Sequence, residues 1–203
     1  MKMVKKLLLL EKVILLVLIG VTLYGFFYFE NSLVLKYIVT IVAAIGLFFA
    51  FRKQPEKAAL ASNREFIFLL VLYLGNYSLY NLKYGMSIPT HIIMLAVFVM
   101  VTGLFYGLIS LDRLDTLVAK PIFHLLIILV GLIVVEIFLA LSFWPIDPQA
   151  KSLIIVVIFY LFTSLIYLYI HSVLKLKRVI GYLASSLLII GLIILGIIYG
   201  FLK

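Results

Sequence analysis

Apolar runs closed by charge, proline or asparagine divide the chain into seven segments, at 13–29, 33–51, 66–82, 88–111, 122–144, 152–174 and 179–202. All but the first and third reach 19 residues, enough for a helix to cross a hydrocarbon core of roughly 30 Å. Leu7–Leu10 extend the first to 7–29. No alternation of period two marks a strand. An unpaired backbone group in lipid costs several kcal/mol, so such segments are helical or they do not span. The pattern predicts an all-α, polytopic transmembrane helix bundle of seven spans.

The breaks carry helix-start chemistry. Ser62 with Glu65 reads as a capping box ahead of the third helix. Asp147-Pro148 offers an N-cap and a first-turn proline ahead of the sixth, and Pro121 opens the fifth in the same way. The loop 52–65, RKQPEKAALASNRE, reads as a solvated connector whose alanine-rich stretch can form a short helix at the inner surface. Met1 to Leu10 imitates a signal peptide, but Glu11 and Lys12 interrupt it and no small-x-small cleavage pattern follows. The expectation is an uncleaved first helix.

Composition removes the main competing class. Of 203 residues, 67% are hydrophobic and 12% charged, with a mean hydropathy of +1.32. A soluble domain is nearer half apolar and a quarter charged. The loops and tails left over cannot house a soluble domain, so residues 1–203 read as one integral-membrane domain. With no cysteine, disulfides, thiolate catalysis and cysteine-based metal sites are excluded.

The formal charge of +9 is an orientation signal rather than a nucleic-acid surface. With the N-terminus inside, 13 of the Lys and Arg residues lie inside and only Lys36, Lys83, Lys151 and Lys203 outside. If the third segment, which holds Asn76, Ser78 and Asn81, failed to span, the ratio would drop to 11 to 6. The positive-inside bias therefore favours seven spans, N-terminus inside and C-terminus outside. The expected setting is a prokaryotic cytoplasmic membrane. The expected partners are the lipid bilayer and other membrane subunits or a homo-oligomer, with no nucleic acid.

Glu136 is the ionisable residue set deepest in a span, with apolar neighbours at helical spacing. Translocon scales put an acid at a helix centre near +2.5–3.5 kcal/mol, so it is expected to face the bundle interior, protonated or paired. On the third segment Tyr73, Tyr77, Tyr80 and Tyr84 share one face, with Asn76 beside it. On the sixth, Tyr160, Ser164, Tyr167 and His171 repeat that spacing. A polar cavity of Glu136, Asn76, Tyr80, Tyr160 and Ser164 would suit a proton or cation site. The competing reading is ordinary interhelical hydrogen bonding, with Tyr24, Tyr28, Tyr37, Tyr73, Tyr77, Tyr80, Tyr84 and Tyr199 as an interfacial belt. Trp144 reads as an interface anchor.

His124 and His171 lie at equal depth on neighbouring segments, the arrangement of a remote bis-histidine haem candidate. No cofactor and no metal site is expected otherwise. Gly103-xxx-Gly107 and Gly196-xxx-Gly200 predict close helix contacts, within the chain or between chains. Catalytic templates such as HExxH, GxSxG and a phosphate loop are missing from the sequence. The resulting expectation is a non-enzymatic accessory or assembly subunit acting through helix contacts. The alternatives are a small proton- or cation-coupled carrier using Glu136 and a haem-binding electron-transfer subunit.

Overall fold

The computed structural model describes residues 2–51, 57–86, 88–110, 121–170 and 176–199. They form α1 (Lys2–Phe29), α2 (Leu33–Phe51), α3 (Lys57–Gly85), α4 (Thr90–Ser110), α5 (Pro121–Ser142), α6 (Pro148–Ile170) and α7 (Leu176–Ile198). There is no strand among the described residues. The helix count and the proline-led starts of α5 and α6 match the sequence pattern.

Local chemistry places the boundaries. Ser32 caps α2: its Oγ accepts the Leu35 N–H at 3.3 Å, while its own N–H donates to Glu30 Oε1 at 2.9 Å. The Asp147 carbonyl accepts the Lys151 N–H at 3.1 Å, which closes the first turn of α6. The capping box at Ser62 is a correction. α3 begins at Lys57, so Ser62 lies inside the helix and 57–65 continues it rather than forming a connector or a separate surface helix. Ala58, Ala59, Leu60 and Ala61 are strong helix formers, and Pro55 is the last breaker before them.

The chain divides into two compact units, residues 1–78 and 79–203. In the first, Phe26, Val39, Leu74 and Tyr77 form a core, with Leu23, Leu35, Leu70 and Tyr73 packed around it. Gly25 lets α1 approach α3 closely, since a Cβ there would sit 2.7 Å from Ser78 Oγ. In the second unit, α4 packs on α5, α5 on α6 and α6 on α7.

Among the described residues four helices are long and apolar enough to cross a membrane: Thr90–Leu108, Ile122–Ser142, Pro148–Tyr169 and Leu176–Ile198. Leu16–Phe29 and Leu33–Ile45 are shorter apolar stretches. α3 has a lower apolar content, carrying Arg64, Glu65, Asn76, Asn81 and Lys83 along its length. On α7 the buried residues are Ser186 and Ile193, and Leu187, Leu188, Leu192 and Leu195 are exposed. Water would not tolerate aliphatic surface on this scale, whereas lipid does.

The small stripe of α4 makes no tight approach at Gly103 among the described residues. A Cβ on Gly103 would meet nothing within 4 Å, and Gly103 is exposed. Gly107 and Gly196 are half-buried, and Gly200 lies outside the described residues. The close approach is instead at Gly131 of α5, where a Cβ would lie 2.5 Å from Thr102 Cγ2 and 2.9 Å from the Phe98 ring of α4. Spacing alone shows that a helix has a small stripe, but the packing decides which stripe meets a neighbour.

This contrast is testable. Thr102 Oγ1 donates to the Phe98 carbonyl at 2.7 Å, which holds its methyl against Gly131. Gly131→Ala should destabilise the protein by about 1–3 kcal/mol through overpacking. Gly103→Ala should be neutral or stabilise by up to about 1 kcal/mol through helix propensity. Thermal unfolding of the two variants in one detergent checks the opposite signs.

Candidate functional site

The most connected polar cluster lies in the second unit, where the end of α3 meets α5 and α6. Tyr80 and Tyr84 are one turn apart on α3, and Phe138 and Ser142 are one turn apart on α5. Side chains four apart share a helix face, so the two tyrosines form two rungs. Tyr80 OH donates to the Phe138 carbonyl at 3.0 Å, and Tyr84 OH donates to the Ser142 carbonyl at 2.6 Å. The Tyr80 ring also stacks on Phe138, with centroids 4.1 Å apart.

Of these acceptors, Ser142 is the last residue of α5 and Phe138 stands one turn before it. The last carbonyls of a helix have no intrahelical donor and carry its partial negative charge. The cluster answers both needs. Ser142 Oγ adds a second donor to the Phe138 carbonyl at 2.8 Å. Lys151, in the first turn of α6, brings a cation and donates from Nζ to Tyr84 OH at 2.9 Å. Its ammonium also lies 4.8 Å from the Tyr84 ring centroid and 5.5 Å from that of Tyr80, inside cation–π range. Lys83 sits 5.6 Å from the Phe143 ring.

Lys151 is only 2% exposed. The sequence assigns it to an outer loop, as a charge that merely helps set topology. Its burial is the main site feature that sequence reasoning missed. The available signal was its place in the turn after Asp147-Pro148, three residues into a helix rather than in a loop. Chemically the cluster is a brace: the Tyr84 hydroxyl joins the buried Lys151 ammonium to the Ser142 carbonyl at the end of α5, and the Tyr80 hydroxyl adds a donor to the Phe138 carbonyl one turn back.

The first unit holds a second missed group. Glu30, in the turn between α1 and α2, is 6% exposed and accepts the Tyr77 hydroxyl at 3.0 Å on Oε2. The Tyr77 ring packs against Phe26, with centroids 5.1 Å apart. Tyr77 and Tyr80 are thus buried hydrogen-bond donors rather than members of an exposed belt, and Tyr73 is half-buried. Tyr24, Tyr28, Tyr37, Tyr84 and Tyr199 are exposed, as is Trp144.

The residues singled out for a shared polar cavity fall in different settings. Glu136 is exposed on α5. Tyr80 has its hydroxyl committed to α5. Tyr160 is half-buried, with its ring 6.3 Å from that of Tyr182, and Ser164 is buried. Asn76 belongs to the first unit and is fully buried, its Nδ2 donating to the Leu72 carbonyl at 2.8 Å. Its Oδ1 has no hydrogen-bond partner. Of the haem candidates, His124 is exposed against Phe123, and His171 lies outside the described residues. No group of three potential metal ligands occurs among the described residues.

Fold and site together define a protein whose described residues are all-helical, with four helices among them long and apolar enough to cross a membrane. The chain belongs to the family DUF5656, described as "Protein of unknown function", whose model matches residues 63–196. The match includes the whole Tyr80–Lys151 cluster and Glu136, and it excludes Glu30. No curated protein and no solved structure matches the chain.

Deleting single hydroxyls separates the two rungs. Tyr84→Phe strips the Lys151 ammonium of its hydroxyl acceptor and the Ser142 carbonyl of its donor, and should cost about 1–3 kcal/mol. Tyr80→Phe leaves the Phe138 carbonyl bonded to Ser142 Oγ and should cost less, about 0.5–1.5 kcal/mol. Combining Lys151→Met with Tyr84→Phe should destabilise by less than the sum of the two changes. Thermal unfolding of the four proteins gives the coupling directly.

Proposed function

We propose that the protein is a seven-span integral membrane protein, N-terminus inside and C-terminus outside, serving as a non-catalytic accessory or assembly subunit through helix contacts. Its proposed setting is a prokaryotic cytoplasmic membrane. The observation that carries this reading is the large apolar surface left on the second unit. α7 buries little besides Ser186 and Ile193, and α5 exposes a row of leucines. Among lipid-soluble helices, association is driven by packing and hydrogen bonding rather than by exclusion from water. A protein made almost wholly of such faces, with minimal loops, is suited to assembling with other spans.

The carrier reading has less support. It requires a polar set gathered around Glu136, yet the Tyr80 hydroxyl is committed to the Phe138 carbonyl and Thr163 Oγ1 to the Tyr160 carbonyl. Glu136 itself points outward from α5.

Two measurements test the proposal. The chain has no cysteine, so single cysteines added at either terminus report topology. An impermeant thiol reagent applied to intact cells should label the C-terminal probe and leave the N-terminal one untouched. In mild detergent the protein should migrate on native gels with a partner subunit or with itself; a strictly solitary monomer in every such detergent overturns the assembly role.

A further inference from the structure

Gly75-Asn76 is a helix stop followed by a helix start, set inside an unbroken helix. α3 runs without interruption from Lys57 to Gly85, yet its middle reads Leu74-Gly75-Asn76-Tyr77-Ser78. Glycine is the common residue just past a helix end, where it turns left-handed, and asparagine is among the strongest N-caps. In a helix interior both are unfavourable. Hydrogen bonding at this turn is uneven as well. Asn76 Nδ2 donates to the Leu72 carbonyl and Ser78 Oγ to the Leu74 carbonyl, both at 2.8 Å. Side-chain bonds that reach back four residues compete with the backbone ladder and bend helices. Asn76 is fully buried, and its Oδ1 accepts no hydrogen bond. Turning the amide over does not remove the orphan, because the Leu72 carbonyl needs the donor end.

We propose that α3 is a two-state helix that breaks at Gly75-Asn76. In the broken state Gly75 turns left-handed and ends the first half, and its N–H returns to the Leu72 carbonyl. Asn76 then caps the second half, its Oδ1 accepting the N–H of Ser78 or Leu79. The carboxamide exchanges a donor role for an acceptor role, and the Gly75 N–H takes over the carbonyl it leaves. Each state uses one end of the carboxamide, so neither gains a decisive advantage from it. A discontinuous helix persists in an apolar setting when its freed backbone groups find partners in this way. The second half is held by directional bonds: Tyr77 donates to Glu30, and Tyr80 and Tyr84 donate to carbonyls of α5. Ahead of the break, Leu70 and Leu74 make apolar contacts, which are non-directional. The segment before Gly75 is therefore the one that tilts. The device belongs to α3 itself and holds whether or not the protein assembles with other subunits.

The absence of cysteine allows paired spin labels in the full-length protein in lipid nanodiscs. Labels at Phe66 and Gly85, both exposed near the two ends of the apolar part of α3, should give two distances. One lies at roughly 28 Å, the length of a straight helix over that span, and the other is shorter. Leu176 and Leu195, at the same spacing on α7, bracket Gly181 and Gly191, neither of which is followed by a capping residue. That pair should give the long distance alone. Combining Gly75→Ala with Asn76→Leu should lower the share of the shorter α3 distance about tenfold or more. Asn76→Ser keeps a capping oxygen and should retain it. If the double variant does not accumulate in the membrane, Gly75→Ala alone takes its place and should lower the same share. A single α3 distance as narrow as that of the α7 pair overturns the proposal. So do two distances that appear equally on α7, or a shorter distance that persists undiminished when Gly75 is replaced.

Discussion

A polar group surrounded by hydrocarbon must find its hydrogen-bond partner within the protein, and the rest of this structure follows from how that demand is met. Along the helices the backbone meets it internally. Helix ends are the exposed points, because the last carbonyls have no donor from the next turn. At the end of α5, Tyr80 and Tyr84 reach from one turn of α3 to the Phe138 and Ser142 carbonyls, and Ser142 bends its hydroxyl back to the former. The same bonds hold α3, α5 and, through Lys151, α6 in one register.

The ionisable groups show two solutions to the same problem. Lys151 is buried and satisfied, with a hydroxyl acceptor and two ring faces around its ammonium. Glu30, in the first unit, is buried and takes both a backbone N–H and the Tyr77 hydroxyl. These two groups brace turns and helix ends. Glu136 is different, since it sits on the outward face of α5, midway along a leucine row.

Much of the helical plan was legible in the pattern of apolar runs, because a helix that must satisfy its own backbone needs a long uninterrupted segment. Pro121 and Pro148 marked the starts of α5 and α6, since proline has no N–H to lose in a first turn. Ser62 misled for an equally physical reason. A capping box is a local signal, and the alanines before it continue the helix at no cost. The tyrosines misled in the opposite sense. A belt residue and a buried donor have the same composition, and only the carbonyls of another helix tell them apart. Within the chain, Gly103 meets no neighbour, while Gly131, outside the two repeats, is a tight contact.

The sequence by itself determined that the chain is apolar and basic and is divided into seven apolar segments of helical length. These are properties of composition and period, which each segment carries alone. The tertiary structure decided which face of each helix is covered. It buried Lys151, which the sequence pattern places in a loop, and it left Glu136 exposed on α5. Facing is a relation between helices. On helices apolar all round, the sequence has no polar side to show which way is in, so only the packing of α4, α5 and α6 against one another could settle it.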